Sequence, residues 1–578
     1  MNEHPVEEKR SISRSGAVLS GIIVAAVAIA GCLVLLVGGL IVIDPLGWNL
    51  LDQLFGGADD AAAAMPPDTS LFVGLDLLEL TPEKIGRIVD PFLAAAEEPD
   101  VPDFDAGLDS LDIEMLEEYG FTISDDILPW LGRYGGFGVT DLEMDEFGSL
   151  EGLKWSLVIA TRNEKAADAF SVKLRDAIEE ETGYDFDTTA YNDVTVYELD
   201  VPENTDGIAM ARHDELVVFG ANTDTIKASI AAKEGDSLAD GEDYKVLADQ
   251  LPDDRAITVF AAKSLYETLQ EGYILGLSPS EFAGLGTGSA ASSLRITKDG
   301  LQFDTANIVE RPDIEVEGQS MLDAVAVETV TDEMFPDSTV VYLAGQRPDL
   351  QWLTIRNAIS DSLGQGDLDE SMEMFADEFG INPDTHLFPL LDGEWAIGVV
   401  PGAQGLLSRE LDIDLNLVLL AQTSEPEALS ANLRLLSDYL EQQLVFVELA
   451  ADGEFETFTL REDPQGQPLL SFGIGNNYLF VSTDAGATAA VFSDGPSLAD
   501  SKRYQETWDA FPRKMTPVYY VNASGLIGAV REGMDPSEYA DFDEVARYFE
   551  PITAIAGATE WHGDVTHSSM IVFVSGGE

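Results

Sequence analysis

Residues 237–244 read SLADGEDY, and residues 497–504 read SLADSKRY. The two strings stand 260 positions apart, and the same spacing recurs far from them. Residues 120–139, GFTISDDILPWLGRYGGFGV, align with residues 380–399, GINPDTHLFPLLDGEWAIGV. Pro129 then falls on Pro389, Leu131 on Leu391, Gly138 on Gly398 and Val139 on Val399. Leu157 and Val158 meet Leu417 and Val418, Pro252 meets Pro512, and Ser264 meets Ser524. At the start of each copy Pro67, Asp68 and Thr69 match Pro336, Asp337 and Ser338 after a small indel. Self-similarity over this length predicts a duplication rather than a short-period solenoid.

The repeated string itself reads as a joint. Asp240 and Asp500 are placed as N-caps, their carboxylates accepting from the free N–H groups of the turn that follows. Tyr244, Leu247 and Leu251 then share one helix face, as do Tyr504, Trp508 and Phe511, before Pro252 and Pro512 end the helices. A strand follows each, AITVFAA in one copy and PVYYVNA in the other.

Period and turn chemistry outline the rest. Leu71, Val73 and Leu75 alternate as a strand, and residues 82–98, PEKIGRIVDPFLAAAEE, read as a helix opened by Pro82. Residues 155–161, WSLVIAT, are a buried strand. Asn163 caps a helix whose Phe170, Leu174 and Ile178 lie on one face and which stops at Gly183. Hairpins are predicted at Asn192-Asp193, Asp452-Gly453, Asp299-Gly300 and around Gly563. The predicted class is α+β: an N-terminal transmembrane helix, then two tandem related domains, each a largely antiparallel sheet with helices packed on it. The boundaries fall at 1–14 for a cytoplasmic tail, 15–43 for the membrane helix, 44–65 for a flexible tether, 66–311 for the first domain, 312–333 for an acidic linker and 334–578 for the second domain.

The P-D-T/S strand opening, the segment ILPWLG before a Gly-containing strand, and SLAD followed by Tyr and Leu-Pro together resemble domain of unknown function family 3352. The resemblance covers most of the chain beyond about Met65, in both copies. It implies a membrane-anchored, exported bacterial protein with no established activity, and it supplies no catalytic residues. The second copy departs from the pattern with LFPLLDG where the first has ILPWLGR. Losing the tryptophan there argues that Trp130 is a packing residue.

The anchor rests on residues 15–43, SGAVLSGIIVAAVAIAGCLVLLVGGLIVI, which contain no charge and exceed the roughly 20 apolar residues that cross a bilayer. Lys9, Arg10 and Arg14 precede the run and Asp44 and Asp52 follow it, so the positive-inside bias places the N-terminus in the cytoplasm and the rest of the chain outside. Two rivals compete with a spanning helix. A cleaved signal peptide usually has a shorter apolar region. Residues 29–32, IAGC, resemble a lipoprotein box in which Cys32 would be lipidated, but the chain stays apolar after Cys32 where a lipoprotein turns polar. Cys32 is the only cysteine, so an intrachain disulfide and a cysteine-rich zinc site are both excluded.

With 106 acidic against 31 basic residues the net charge is −75, which repels nucleic acid. A solvated, salt-adapted surface is the plain reading, and cation binding the alternative. The acidic residues 97–118 lack the spacing of a calcium loop. His4, His213, His386, His562 and His567 are the only histidines, and none stands in a His-Glu-x-x-His pattern. His562 and His567 flank a hairpin turn, where two ligands without a third do not make a metal site. Neither Gly-x-Ser-x-Gly nor Ser-x-x-Lys of the penicillin-binding type marks a serine nucleophile. Residues 284–289, GLGTGS, lack the Lys-Ser/Thr of a phosphate loop. No cofactor and no metal are implied. The expected function is a non-enzymatic scaffold or binding module of the cell envelope, with an envelope protein or apolar ligand as partner and the membrane as integral support. The alternative is a carboxylate-based hydrolase of envelope polymers, since paired acids are abundant.

Overall fold

A computed structural model of the protein describes residues 58–96, 120–144, 150–201, 207–265, 288–308, 329–353, 380–402, 414–442, 446–452, 455–461, 468–511, 518–534 and 539–575, with scattered positions between them. The tail, the apolar run at 15–43, Cys32 and most of the acidic stretch at 97–118 lie outside the described residues, as do residues 284–287 of GLGTGS. Among the described residues no helix is long and apolar enough to cross a membrane. The chain divides into two units, the first comprising residues 1–90, 98–297 and 305–308, the second 91–97, 298–304 and 309–578.

The first unit carries β1 (Leu71–Asp76), β2 (Leu131–Met144), β3 (Leu150–Thr161), β4 (Phe186–Tyr191), β5 (Val194–Leu199), β6 (Ala209–His213), β7 (Leu216–Gly220), β8 (Ile257–Ala261) and β9 (Ala290–Ile296). They pair antiparallel in the order β4-β5-β6-β7-β3-β2-β1-β8-β9. After β10 (Gly300–Ile308) and the short ladder of β11 (Glu315–Val316) with β12 (Gln319–Ser320), the second unit repeats the scheme. Its strands are β13 (Val341–Gln346), β14 (Glu394–Pro401), β15 (Leu415–Gln422), β16 (Phe446–Asp452), β17 (Phe455–Arg461), β18 (Pro468–Gly475), β19 (Tyr478–Ser482), β20 (Val518–Val521), β21 (Ile552–His562) and β22 (Val565–Val574). Their order is β16-β17-β18-β19-β15-β14-β13-β20-β21-β22, also antiparallel throughout, so the first nine positions coincide with those of the first unit. The architecture is α+β, with antiparallel sheets and helices.

Register sharpens the internal alignment. Leu71 lies opposite Val139 and Ala261, and Val341 lies opposite Val399 and Val521. The flanking strands therefore keep the offset of 260, while β1 and β13 are offset by 270. Thr69 Oγ1 donates to the Pro66 carbonyl at 2.7 Å and Thr339 Oγ1 to the Pro336 carbonyl at 2.7 Å. Thr69 thus corresponds to Thr339, not to Ser338. The doubled proline at 66–67 makes the sequence match degenerate by one position.

The end of the expected tether is structured. Helix α1 (Ala58–Ala62) and the residues after it bury Ala61, Ala62, Ala64 and Met65 completely. Alanines suit the place because a Cβ on Gly136 would stand 2.7 Å from the Ala61 Cβ, so both surfaces are cut to small residues. Met65 lies over Gly138, where an added Cβ would meet its sulfur at 2.7 Å, and Phe335 takes the corresponding place over Gly398. Only glycine leaves room for these side chains, which explains the aligned pair Gly138 and Gly398. The expected linker at 312–333 likewise ends inside the second unit, with Thr331 and Asp332 buried in a 3-10 turn.

The local elements follow their sequence signals. Helix α2 runs Pro82–Ala96 and α3 Glu164–Thr182. The Asn163 side chain accepts from the Ala166 N–H at 3.3 Å, Gly183 ends α3 in the left-handed region at φ 73°, and Phe170 and Leu174 face the core. Asn192 and Asp193 both have positive φ in the β4–β5 turn, as a tight hairpin of matching twist requires. Trp130 is buried against Phe170 with its Nε1 donating to the Asp126 carbonyl at 2.9 Å, which is the packing role expected of it.

Candidate functional site

The duplicated string forms the same joint twice, and its aspartates do not cap as expected. Residues Leu238–Asp240 and Leu498–Asp500 make one 3-10 turn each, ahead of α5 (Glu242–Ala248) and α8 (Lys502–Trp508). Helix α4 (Thr223–Glu234) precedes the first of these turns, α6 (Pro426–Gln442) and α7 (Ala485–Val491) the second. Asp240 Oδ2 turns back to accept from the Ser237 N–H at 3.3 Å and Oγ at 3.0 Å, and Asp500 Oδ2 does the same with Ser497 at 3.0 Å for both. The helices begin at Gly241 and Ser501, neither of which caps with a side chain. Asp240 and Asp500 are therefore corrected from N-caps to the closing residues of a serine-aspartate box. The Ser-x-x-Asp spacing satisfies the turn's own donors first, and the other Asp240 oxygen meets the Lys245 ammonium at 3.4 Å rather than a free N–H of the helix.

Hydrogen bonds from the Ser237 hydroxyl, then from Lys245 and the Ser237 amide, hold the Asp240 carboxyl below its ordinary range; the Ser497 amide and hydroxyl do the same to Asp500. The contribution of each box is present at neutral pH and lost on acidification through the lowered values. Asp240→Ala is expected to lower the melting midpoint by about 1–3 °C at neutral pH, and by less near pH 3. A pH-independent difference would count against the box.

Each joint receives the segment that leads into its unit. The Met65 carbonyl accepts from the Leu238 N–H at 2.9 Å, and the Phe335 carbonyl from the Leu498 N–H at 2.7 Å. Tyr244, Leu247 and Leu251 are all buried behind the first joint, and Tyr504 and Phe511 behind the second, as their spacing predicts. In the first unit the Tyr244 hydroxyl donates to Asp59 Oδ1 at 2.7 Å, and Arg255, itself buried, reaches the other Asp59 oxygen and Thr258. Asp76, also buried, is held by Arg133 at 2.8 Å.

The second unit answers with acids. Glu394 opens β14 on its inward row with Ala396, Gly398 and Val400, and it is 3% exposed. Its carboxylate accepts from the Val330 N–H at 3.0 Å, from the Thr331 N–H at 3.0 Å and from the Thr331 hydroxyl, whose oxygen lies 2.8 Å from the Tyr342 hydroxyl. Asp332 stands beside this clamp. Burial pushes its carboxyl up to about 6, countered by the Tyr504 hydroxyl and reinforced by the nearby charges of Glu394 and Glu333. The Tyr504 hydroxyl faces Asp332 without closing a well-formed hydrogen bond. These are chain-holding carboxylates: every donor on Glu394 comes from the segment it fastens.

A third cluster lies within the second unit. Asp304 is 1% exposed, and its Oδ1 accepts from the Ser569 hydroxyl while His567 Nε2 lies 3.4 Å away and Gln302 Nε2 donates at 3.1 Å. The residue types match a serine-histidine-aspartate set, but the order does not. Serine and histidine both address the aspartate, so the imidazole has no serine proton to take. His562 pairs with Val565 and His567 with Glu560, so the two histidines are not cross-strand partners. Among the described residues no group of three or more His, Cys, Asp or Glu side chains could hold a metal ion. Glu394 and Asp304 each stand in the buried row of an alternating strand, which parity can signal; Asp332 and Asp59 carry no such local signal.

A family model described as a protein of unknown function, DUF3352, matches residues 26–574. The chain belongs to the DUF3352 family. The match spans both units and the segments between them. No curated protein matches this DUF3352 chain. Among solved structures, crystal form III of TP0453 aligns at 6% identity with a TM-score of 0.23, covering 45% of this chain and 83% of that one. Crystal form I aligns at 8% identity with a TM-score of 0.22, covering 44% and 81%. Scores of this size carry no structural relation.

Proposed function

We propose that this DUF3352 protein is a single-pass, membrane-anchored extracytoplasmic protein whose two related domains act as a non-enzymatic scaffold or binding module of the cell envelope. The reading is carried by the uncharged apolar run at 15–43, flanked by basic residues before it and acidic ones after it. The use made of the buried acids supports the non-enzymatic part. Glu394 and Asp76, both buried, each hold backbone or side-chain donors of their own unit, which is how a scaffold stabilises its fold. A surface bearing a net charge of −75 favours a basic or neutral partner.

Two measurements on the native host test the proposal. Protease added to intact cells is expected to remove both units and leave only a short protected N-terminal fragment. Survival of the full chain, with release into the soluble fraction on lysis, would sink the anchored reading. Purification from the native membrane followed by mass spectrometry is expected to recover a bound envelope component. Turnover of glycosides or peptides by the purified chain, abolished by one Asp or Glu substitution, would replace the scaffold with a hydrolase.

A further inference from the structure

The two units end on the same strand position, and the two edges are built differently. In the first unit that edge is β4, whose Asp187, Thr188, Thr189 and Ala190 are exposed. Its partner β5 is sealed by Arg175, whose guanidinium lies 3.6 Å from the centre of the Tyr197 ring. This is a protected edge, polar and capped. In the second unit the edge is β16, FVELAAD, with Phe446 46% and Leu449 53% exposed. Among the described residues its outer side pairs with no strand.

Leu449 is not a stray surface residue. It sits opposite Phe458, which is 1% exposed, just as Val447 sits opposite Leu460. Val447, Leu449 and Ala451 therefore form the core-facing row of β16, and that row stops where a next strand would continue it. Leu435 on α6, the helix that packs on this end of the sheet, is 51% exposed as well.

We propose that β16 is an interface between two copies of this chain, which join edge to edge as antiparallel strands about a two-fold axis at Leu449. Among the same-face registers that pair most of its length, the strand is complementary to itself in one. With Leu449 opposite its own copy, Val447 faces Ala451, Glu448 faces Ala450 and Phe446 faces Asp452. A slip of two residues one way sets Glu448 against Glu448, and the other way sets Glu448 against Asp452. Like charges directly opposite are destabilising, so charge selects the central register. Glu448 also pairs with Arg461 of its own copy at 3.0 Å, but its side chain stays 64% exposed and still presents its charge at the edge. The core-facing rows of both copies then lie on the same side, closing the apolar lip of each. The net charge of −75 on each copy opposes the association, and salt relieves that repulsion. The pairing does not depend on where the chain is anchored.

The test uses the full-length chain with Cys32→Ser, purified in mild detergent, carrying either Leu449→Cys or its positional counterpart Thr188→Cys. Residues facing each other across an antiparallel pair have Cα atoms about 4.5–5.5 Å apart, within disulfide reach. Copper-catalysed oxidation is expected to give covalent dimer at least about tenfold faster at 449 than at 188, and faster at high salt than at low. Equal rates at the two positions, or monomer at both, overturn the proposal. A second variant, Leu449→Lys, is expected to shift sedimentation from dimer to monomer, while its unfolding midpoint matches wild type at protein concentrations low enough for wild type to be monomeric. A dimer that persists in that variant overturns it equally.

Discussion

Replacing Glu394 by leucine is expected to lower the stability of the second unit by about 4 kcal/mol, read as a reduced urea midpoint with an unchanged slope. The size follows from what the carboxylate holds. It accepts from two backbone amides, Val330 and Thr331, and from the Thr331 hydroxyl, all at a site 3% exposed. Each buried donor left without a partner costs about 1–3 kcal/mol, and bonds to a charged acceptor lie toward the upper end. Two effects reduce the loss: the leucine relieves the desolvation of a buried charge, and the Thr331 hydroxyl keeps Tyr342 at 2.8 Å. Glu394→Gln separates the terms, because an amide keeps one acceptor oxygen without the charge; its expected cost is about 1–2 kcal/mol. If the leucine variant unfolds at the same urea concentration as wild type, Glu394 does not fasten the segment that leads into β13.

What the sequence made legible was the scaffold around this site. The strings at 237 and 497 mark equivalent turns, and the strands that follow them occupy equivalent places in their sheets. Helix caps and hairpins such as Asn163, Gly183 and Asn192-Asp193 are local chemistry, and local chemistry is read directly from neighbours in sequence. Three things needed the fold. The role of Asp240 turned on whether a carboxylate reaches backward to Ser237 or forward to the helix, and both geometries suit the same four residues. The alanines at 61 and 62 have the composition of a tether, yet both are fully buried, and the surface that Ala61 meets, at Gly136, comes from a strand far along the chain. Asp332 belongs to a run of acidic residues that resembles a linker, yet it is buried, and Glu394 and Tyr504, which act on its carboxyl, lie up to 172 positions away. Long-range burial leaves no periodicity at the residue it affects.

Asp332 makes the second unit sensitive to pH in a window that follows from its surroundings. Its carboxyl is raised from 3.8 to about 6, first by burial and then by Glu394 and Glu333, with the hydroxyls of Tyr504 and Tyr342 facing the same pocket of charge. A carboxyl with a raised folded value binds its proton more tightly when folded than when unfolded. The stability it contributes is fully present below the unfolded value near 3.8 and is lost as pH rises through about 6. The shift corresponds to about 3 kcal/mol at neutral pH. Asp332→Asn keeps the shape and removes the ionisation. The variant is expected to lie within about 0.5 kcal/mol of wild type at pH 4 and to exceed it by about 2–3 kcal/mol at pH 7.5, the gap opening between those values. The difference curve isolates this residue from the many exposed acids, which titrate alike in both proteins. Urea unfolding at five pH values from 4 to 8 measures it. Parallel stability curves would show that the folded protein tolerates the charge on Asp332, and that Tyr504 closes onto it as a full hydrogen-bond donor.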